Sequence, residues 1–154
     1  MTPALVVCNS SPVIALAQIK ALDLLRMLFT GVVIPPTVRG EIQSVALPEW
    51  VQVQPLTQEL DARVATASLD AGEREALGLA IERRADLLVL DDLPARLLAE
   101  KLGIPVIGTV GVLLLAKQRG LLPVIRPALD ALRGVNFFLA EHLYLRLLIL
   151  AGEA

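Results

Sequence analysis

The sequence predicts an α/β fold, arranged as a three-layer α/β/α sandwich around a central parallel sheet of four to five strands. One observation is that short apolar runs alternate with longer segments of helical periodicity along the chain. Another is that these short runs are continuously apolar, which is typical of strands covered by helices on both faces. The chain has 154 residues, of which 55% are apolar, so we expect one domain over residues 1–154 with a sizeable core.

Four short apolar runs predict the strands of this sheet. The first is rich in Val and ends in polar residues, which favours a buried strand over a helix. The runs are ALVVC at 4–8, GVVIPP at 31–36, LLVLD at 87–91 and IPVIGT at 104–109. The middle segment LPEWVQVQPL has no clear period and predicts a loop with a short extended piece.

The first helix carries a clear start signal. Asn9, Ser10 and Ser11 are residue types that cap helices, and Pro12 follows near the first helical position. The apolar periodicity then continues, so we expect one helix over 13–29.

The helix over 69–84 is predicted by its periodicity and by Asp70 and Glu73, which have the spacing of a capping box. Gly120 and Gly134 lie where a glycine commonly ends a helix. Further helical patterns cover 37–44, 57–68, 93–103, and about 110–119, 124–134 and 140–151.

The composition excludes several classes of protein. No apolar run approaches the ~20 residues that span a bilayer, and the start MTPALVV lacks the basic region of a signal peptide. We therefore expect a cytoplasmic protein that does not bind a membrane. We also expect its surplus apolar surface to be hidden in a homodimer interface. The net charge of −2 gives no global basic field, although local nucleic-acid binding stays open.

The single cysteine and the single histidine exclude further sites. Cys8 lies inside an apolar run and is expected to be a buried thiol, and one cysteine allows neither an internal disulfide nor a Cys-rich zinc cluster. His142 belongs to a helical pattern near the end of the chain and is expected on a helix surface or at an interface. A His-based catalytic triad is therefore not expected.

Polar residues are expected to converge at one edge of the sheet. Right-handed crossovers place the carboxyl ends of parallel strands, and the starts of the following helices, at a common edge where ligands usually bind. Carboxylate and amide oxygens gathered there suit Mg²⁺ or Mn²⁺, which would also relieve the repulsion between adjacent aspartates. The residues expected at this edge are Asn9, Ser11, Glu41, Glu73, Asp91 and Asp92.

Most of these residues also have a purely structural alternative. Glu73 and Asp92 can serve as helix-capping residues, Asn9 can hydrogen-bond its own turn, and Glu41 can be a solvated helix residue. Asp91 is harder to explain in this way, because one helix cap does not need two acids.

The sequence resembles the PIN domain, and more narrowly a bacterial and archaeal PIN-like family related to VapC-type toxins, over about residues 4–150. The resemblance is carried by the order and spacing of VVCNSSPVIALAQIKALDLL, VVIPPTVRGEI and LDAGEREALGLAIERRADLLVLDDLPARLLAEKLGIPVIGTVGVLLLAKQRGLLP. It implies a PIN-like fold and a metal-dependent ribonuclease with acids at the carboxyl edge of a parallel sheet.

The resemblance also implies the role of each site residue. The first acid of the family corresponds to Asn9, with Ser11 as a hydroxyl that supports it, and the second corresponds to Glu41. The third corresponds to Glu73, with Ala76 and Ala80 as the small residues of that helix.

The fourth acid corresponds to Asp91 when the alignment from Glu73 has no gap, and to Asp92 when one residue of slip is allowed. Asn9 departs from the family pattern, because an amide oxygen can coordinate a metal but brings no negative charge, so metal affinity should fall.

The resemblance implies Mg²⁺ or Mn²⁺ as the cofactor, RNA as the substrate, and a small antitoxin protein as a partner in a VapBC-like pair. Arg39 and Arg96, each near an expected ligand, are candidates for contacts with the RNA backbone, with a solvated surface role as the alternative. The alternative for the whole chain is a catalytically weakened PIN-like domain that acts as a nucleic-acid-binding or protein-interaction module.

Overall fold

Five short parallel strands form the central sheet of the protein. The computed structural model describes residues 5–154. The strands are β1 (Val6–Cys8), β2 (Val32–Ile34), β3 (Val51–Val53), β4 (Leu87–Val89) and β5 (Val106–Ile107), in the order β3-β2-β1-β4-β5. Every neighbouring pair is parallel, which confirms the predicted α/β class and central parallel sheet. β3 is the extended piece expected in the middle segment.

Helices connect the strands and follow the last of them. They are α1 (Ser10–Gln18), α2 (Asp23–Leu28), α3 (Pro36–Glu41), α4 (Ala62–Ala65), α5 (Ala71–Arg83), α6 (Leu93–Lys101), α7 (Thr109–Gln118), α8 (Arg126–Gly134) and α9 (Glu141–Leu150). The helix expected over 37–44 is shorter than predicted, because it ends at Glu41.

Alternate strand residues enter two separate cores, one on each face of the sheet. Val6 and Cys8 belong to the core that α1 to α3 and α7 to α9 cover. Val7, Leu88 and Leu90 belong to the core that α4, α5 and α6 cover. Because side chains of a strand alternate between its faces, a strand buried on both sides must be apolar at every position, as β1, β2 and β4 are.

The prediction of a single helix over 13–29 is wrong, since α1 and α2 are separated by a turn. Lys20 adopts a left-handed conformation with φ of 60°, and the Ala21 amide donates to the Leu16 carbonyl at 2.8 Å. Leu16 and Leu25 nevertheless enter the same core. The apolar periodicity therefore continues through the turn, and the sequence pattern does not show the break.

The helix expected over 57–68 is also mostly wrong, because only α4 forms within it. The backbone amides of Thr57 and Gln58 donate to the Glu82 carboxylate at 2.8–3.1 Å. These bonds hold the segment against α5 in an irregular conformation, an interaction across 24 or 25 residues that local periodicity cannot indicate.

The two predicted glycine stops have different outcomes. Gly120 follows α7 with φ of 75°, as expected for a helix stop. Gly134 is the last residue of α8, and the left-handed turn falls instead on Asn136, with φ of 63°. Asn tolerates this conformation better than most residues because its short side chain hydrogen-bonds locally.

Cys8 is fully buried, which confirms the expected buried thiol, and this burial raises the pKa of the thiol to about 12. His142 is exposed on α9. Across residues 5–154, no helix combines the length and the apolar character needed to cross a bilayer.

Candidate functional site

A cleft opens at the carboxyl edge of the sheet, beside the ends of β1 and β4. The strand order reverses between these two strands, which is where ligands bind in open α/β sheets. The backbone amide of Asn9 donates to the Val89 carbonyl at 3.0 Å, so the end of β1 lies directly beside the end of β4. The cleft has a volume of about 550 Å³, and its polar lining consists of Asn9, Ser10, Ser11, Asp70, Glu73, Asp91, Asp92, Arg96 and Asn136.

Asp91 is held on both of its carboxylate oxygens. The Thr109 amide donates to Oδ1 at 2.7 Å, and the Thr109 hydroxyl donates to Oδ2 at 2.7 Å. A Cβ atom at Gly108 would lie only 2.8 Å from Oδ1, so the close approach of the backbone requires glycine there. Thr109 is also the first residue of α7, whose amino end favours a negative charge.

Ser11 donates from its hydroxyl to Asp91 Oδ2 at 3.1 Å. The resemblance had implied that this hydroxyl supports the first acid position, which is Asn9. In the structure this hydroxyl donates instead to Asp91, because α1 begins beside the end of β4.

Thr109 was missed in the sequence, although it is fully buried at the site. The signal was present, since Thr109 comes two residues after the last strand and so lies at the same edge as Asn9 and Asp91. A hydroxyl residue at that place could have been included by the same rule.

Glu73 combines a capping role with a place in the cleft. The predicted capping box is confirmed, because Glu73 N donates to Asp70 Oδ1 at 2.8 Å and Asp70 N donates to Glu73 Oε1 at 3.1 Å. Burial to 8% exposure raises the pKa of Glu73, and the negative charges of Asp70, Asp92 and Glu41 raise it further. This acid therefore lies where a positive charge would be stabilised.

Glu41 reaches the same region from α3, although it is exposed and is not part of the cleft lining. A Cβ atom at Gly72 would overlap the Glu41 carboxylate, which therefore rests against the first turn of α5. The Thr37 amide, also on α3, donates to Glu75 Oε1 at 3.2 Å and ties the two helices together. Glycine at position 72 thus lets Glu41 approach Glu73.

Asp92 is the N-cap of α6 and accepts a hydrogen bond from the Ala95 amide at 3.1 Å. The capping alternative is therefore confirmed for this residue. Asp92 nevertheless lines the cleft, and its charge raises the pKa of Glu73. The two adjacent aspartates therefore have different roles. Asp91 accepts hydrogen bonds from Thr109 at the start of α7, and Asp92 caps α6.

Asn9 is buried at 5% exposure, and its Oδ1 atom has no hydrogen-bond partner among residues 5–154. An unpaired buried carbonyl oxygen costs about 1–3 kcal/mol, so such an atom needs an explanation. Because Asn9 lines the cleft beside several carboxylates, its oxygen fits a ligand of a bound cation.

The two candidate arginines differ in their position. Arg96 lines the cleft, where a Cβ atom at Gly108 would lie 3.3 Å from its Nη1 atom, and its Nε is buried without a partner in the described chain. Arg39 is not among the described residues that line the cleft. Of the two, the structure therefore places only Arg96 in the lining of the cleft.

The donor set fits a divalent ion that keeps much of its water. Within the described residues, no group of three or more Asp, Glu, His or Cys side chains is arranged to hold a metal ion. The buried oxygen of Asn9 and the crowded Glu73 carboxylate do provide hard ligands. Mg²⁺ typically combines one or two carboxylates with several waters and substrate phosphate oxygens, which matches this arrangement.

A PIN-domain family model (DUF3368) matches residues 5–153, and the chain belongs to this family. A solved structure with a similar fold is a PilT N-terminus domain protein from the hyperthermophilic archaeon Sulfolobus solfataricus P2, with 21% identity and a TM-score of 0.51. The alignment covers 70% of this chain and 89% of the archaeal one. No match was found among functionally curated proteins. The fold is thus the nuclease-like fold of PIN domains, a family that generally uses divalent metals.

Proposed function

We propose that the protein is a metal-dependent ribonuclease that hydrolyses RNA phosphodiester bonds, and that it is the toxin of a VapBC-like toxin–antitoxin pair. The observation that carries the proposal is the cleft itself, where the unpaired Asn9 oxygen lies with Glu73, Asp91 and Asp92. A site that only capped helices would not require a buried carbonyl oxygen without a partner.

Asn9, through Oδ1, and Glu73, through its carboxylate, are the residues that would hold Mg²⁺ or Mn²⁺. Asp92 and Glu41 would bind the ion directly or through water. When bound, such an ion neutralises the charge on the phosphate and makes a water a better nucleophile. Asp91 contributes a fixed negative charge, since Thr109 and Ser11 hold its two oxygens in one orientation.

Among the described residues that line the cleft, Arg96 is the basic one, and its guanidinium is suited to contact a phosphate oxygen of the RNA. The neighbouring acids repel phosphate, so a bound cation is also needed to bring the substrate close. This supports a reaction in which RNA binding depends on the metal.

Exposed apolar residues on α9 support an interface with a second copy or with an antitoxin. The run VGVLLLA belongs to α7, and its residues are buried in or packed against the core. By contrast α9 exposes Leu145, Ile149 and Leu150, at 47%, 65% and 60%. We infer that the homodimer or antitoxin interface expected from the sequence involves α9, because an exposed apolar face of this kind commonly marks an interaction surface.

A second candidate function is a catalytically weakened PIN-like module that binds nucleic acid or protein. Two observations favour it: Asn9 brings no charge to the site, and the described residues contain no group of three acids arranged to hold a metal. Such a module would bind RNA without cutting it.

The test is cleavage of single-stranded RNA by the purified protein in Mn²⁺ and in chelator. We expect cleavage only with the metal, and a loss of at least about 100-fold in the Asp91→Ala/Asp92→Ala double variant or in Glu73→Gln. Glutamine retains the capping acceptor of Glu73, so this variant should still fold.

Glu100→Gln is the matched control, because this exposed acid lies on α6 at the end opposite Asp92. Cleavage that survives removal of both aspartates would show that the site is wrongly assigned. RNA binding without any metal-dependent cleavage would favour the weakened module.

A further inference from the structure

Phe138 has the highest exposed fraction among the large apolar side chains of the described residues, at 88%. The other two phenylalanines contact the core, since Phe29 is buried and Phe137 packs against the same cluster. Single exposed apolar residues are common and usually need no explanation. Phe138 differs because it lines the cleft that contains the acids.

The backbone around Phe138 is anchored on both sides. The left-handed turn at Asn136 ends α8, and the Phe137 amide donates to the Leu132 carbonyl at 3.2 Å. Phe137 packs on the core, and Leu139 is buried at 8% exposure. With both neighbours packed inside, the segment presents the ring of Phe138 at the cleft instead of letting it collapse onto the core.

The charges of the cleft limit how RNA can be bound. The described lining contains four carboxylates and one arginine, so phosphate contacts with side chains supply little affinity. Most proteins that bind RNA without sequence preference combine basic residues with aromatic platforms on which bases stack. In a cleft poor in basic residues, the uncharged stacking contact has to contribute more.

We propose that Phe138 is a stacking platform for one unpaired base of single-stranded RNA whose backbone crosses the acids of the cleft. This inference rests on the proposed ribonuclease function and adds a binding subsite that discriminates single strands from duplexes. The faces of bases in a duplex are covered by neighbouring bases, whereas an unpaired base can stack on an aromatic ring.

The test is the binding of a fluorescein-labelled, single-stranded phosphorothioate RNA of about ten nucleotides, followed by anisotropy in Mg²⁺. The phosphorothioate backbone resists hydrolysis, so binding is measured separately from cleavage. Phe138→Ala should weaken binding about five- to 100-fold, whereas Phe138→Trp should retain it. Met27→Ala is the matched control, because it truncates another exposed apolar residue, on α2 and outside the cleft lining.

A probe with one abasic site, moved along the strand in a series, supplies the second arm. At the position that stacks, removing the base should weaken binding by wild-type protein and leave binding by Phe138→Ala unchanged.

Unchanged binding of the RNA by Phe138→Ala would overturn the inference, as would an equal loss for duplex RNA. A changed oligomeric state with unchanged RNA binding would also overturn it and assign Phe138 to a protein interface. Failure of the proposed function looks different, since RNA cleavage would then be absent while the effect of Phe138 on binding remained.

Discussion

At the level of single residues, the contact between Thr109 and Asp91 organises the candidate site. The two bonds from one residue, at 2.7 Å each, fix the rotamer of the carboxylate. Thr109 is completely buried, so water does not compete for its hydroxyl. The contact also joins β4 to the start of α7, across 18 residues of sequence.

We expect Thr109→Ala to lower RNA cleavage by about 10- to 100-fold. Asp91 would keep the hydrogen bond from the backbone amide of residue 109 but lose the one from the hydroxyl, which orients the carboxylate. The loss of a hydrogen bond to a charged group should lower the free energy of unfolding by about 1.5–3 kcal/mol. Thr109→Ser restores the hydroxyl and should recover most of both properties. Cleavage rates and urea unfolding of the same preparations check the prediction.

Thr66→Ala is the control, because this exposed hydroxyl donates to the Ala62 carbonyl and neither residue lines the cleft. If Thr109→Ala were less stable but cleaved RNA at the wild-type rate under conditions where both are folded, Asp91 would need no positioning.

Sequence reasoning located the site residues better than their partners. Asn9, Asp91 and Asp92 were predicted at the sheet edge because each closely follows a strand, and the structure brings them to one cleft. The difference between the two aspartates could not be predicted, since it depends on side-chain direction and on where α7 begins. The approach of Glu41 depends on the missing side chain of Gly72, a contact between α3 and α5 that spacing does not encode.

At the level of elements, Glu153 links three helices near the end of the chain. Its carboxylate accepts from the Ile125 amide at 2.7 Å, the Arg126 amide at 3.1 Å and Lys117 Nζ at 3.0 Å. Burial raises the pKa of Glu153, but the hydrogen bonds from Ile125, Lys117 and Arg126 outweigh it and hold the pKa below its usual range. The start of α8 is thus stabilised by a residue that follows α9.

We expect Glu153→Ala to lower the free energy of unfolding at neutral pH by about 1.5–3 kcal/mol, because the buried Ile125 amide loses a charged acceptor. A carboxyl whose pKa is lower in the folded state contributes stability above its unfolded pKa and loses it as pH falls through the folded pKa. The difference between wild type and variant should therefore shrink in acid. Urea unfolding at neutral and acidic pH measures it.

Glu141→Ala is the matched control, because the Glu141 side chain is 69% exposed in its pair with Arg133 and should contribute less than about 1 kcal/mol. Equal stability of Glu153→Ala and wild type at neutral pH would contradict the assigned role of Glu153.

Helices with local start signals were predictable from sequence, and those shaped by distant contacts were not. The capping box of Asp70 and Glu73 lies within four residues, so α5 was predicted nearly in full. The break at Lys20 and the irregular segment held by Glu82 depend on packing against other elements. Periodicity reports which face is apolar, and it does not report where the chain turns.

At the level of the whole molecule, the reversal of strand order between β1 and β4 produces the cleft. Parallel strands place residues from distant parts of the sequence at one edge, which is why the acids could be predicted to converge. The segment from Asn136 to Leu143 also lines the cleft, and no rule of sheet topology predicts that placement. The aromatic part of the site could therefore be found only in the fold.

We propose that this cleft holds a divalent metal through Asn9 and Glu73. The most direct measurement is an anomalous difference map from crystals soaked in Mn²⁺. We expect a peak in the cleft, with Asn9 Oδ1 and a Glu73 oxygen at ligand distances of about 2.0–2.2 Å and waters completing the shell. The absence of a peak in the cleft at saturating Mn²⁺ would contradict this assignment. A side chain of Asn9 whose Oδ1 accepts a hydrogen bond from a protein donor, and not a bond to the metal, would also contradict it.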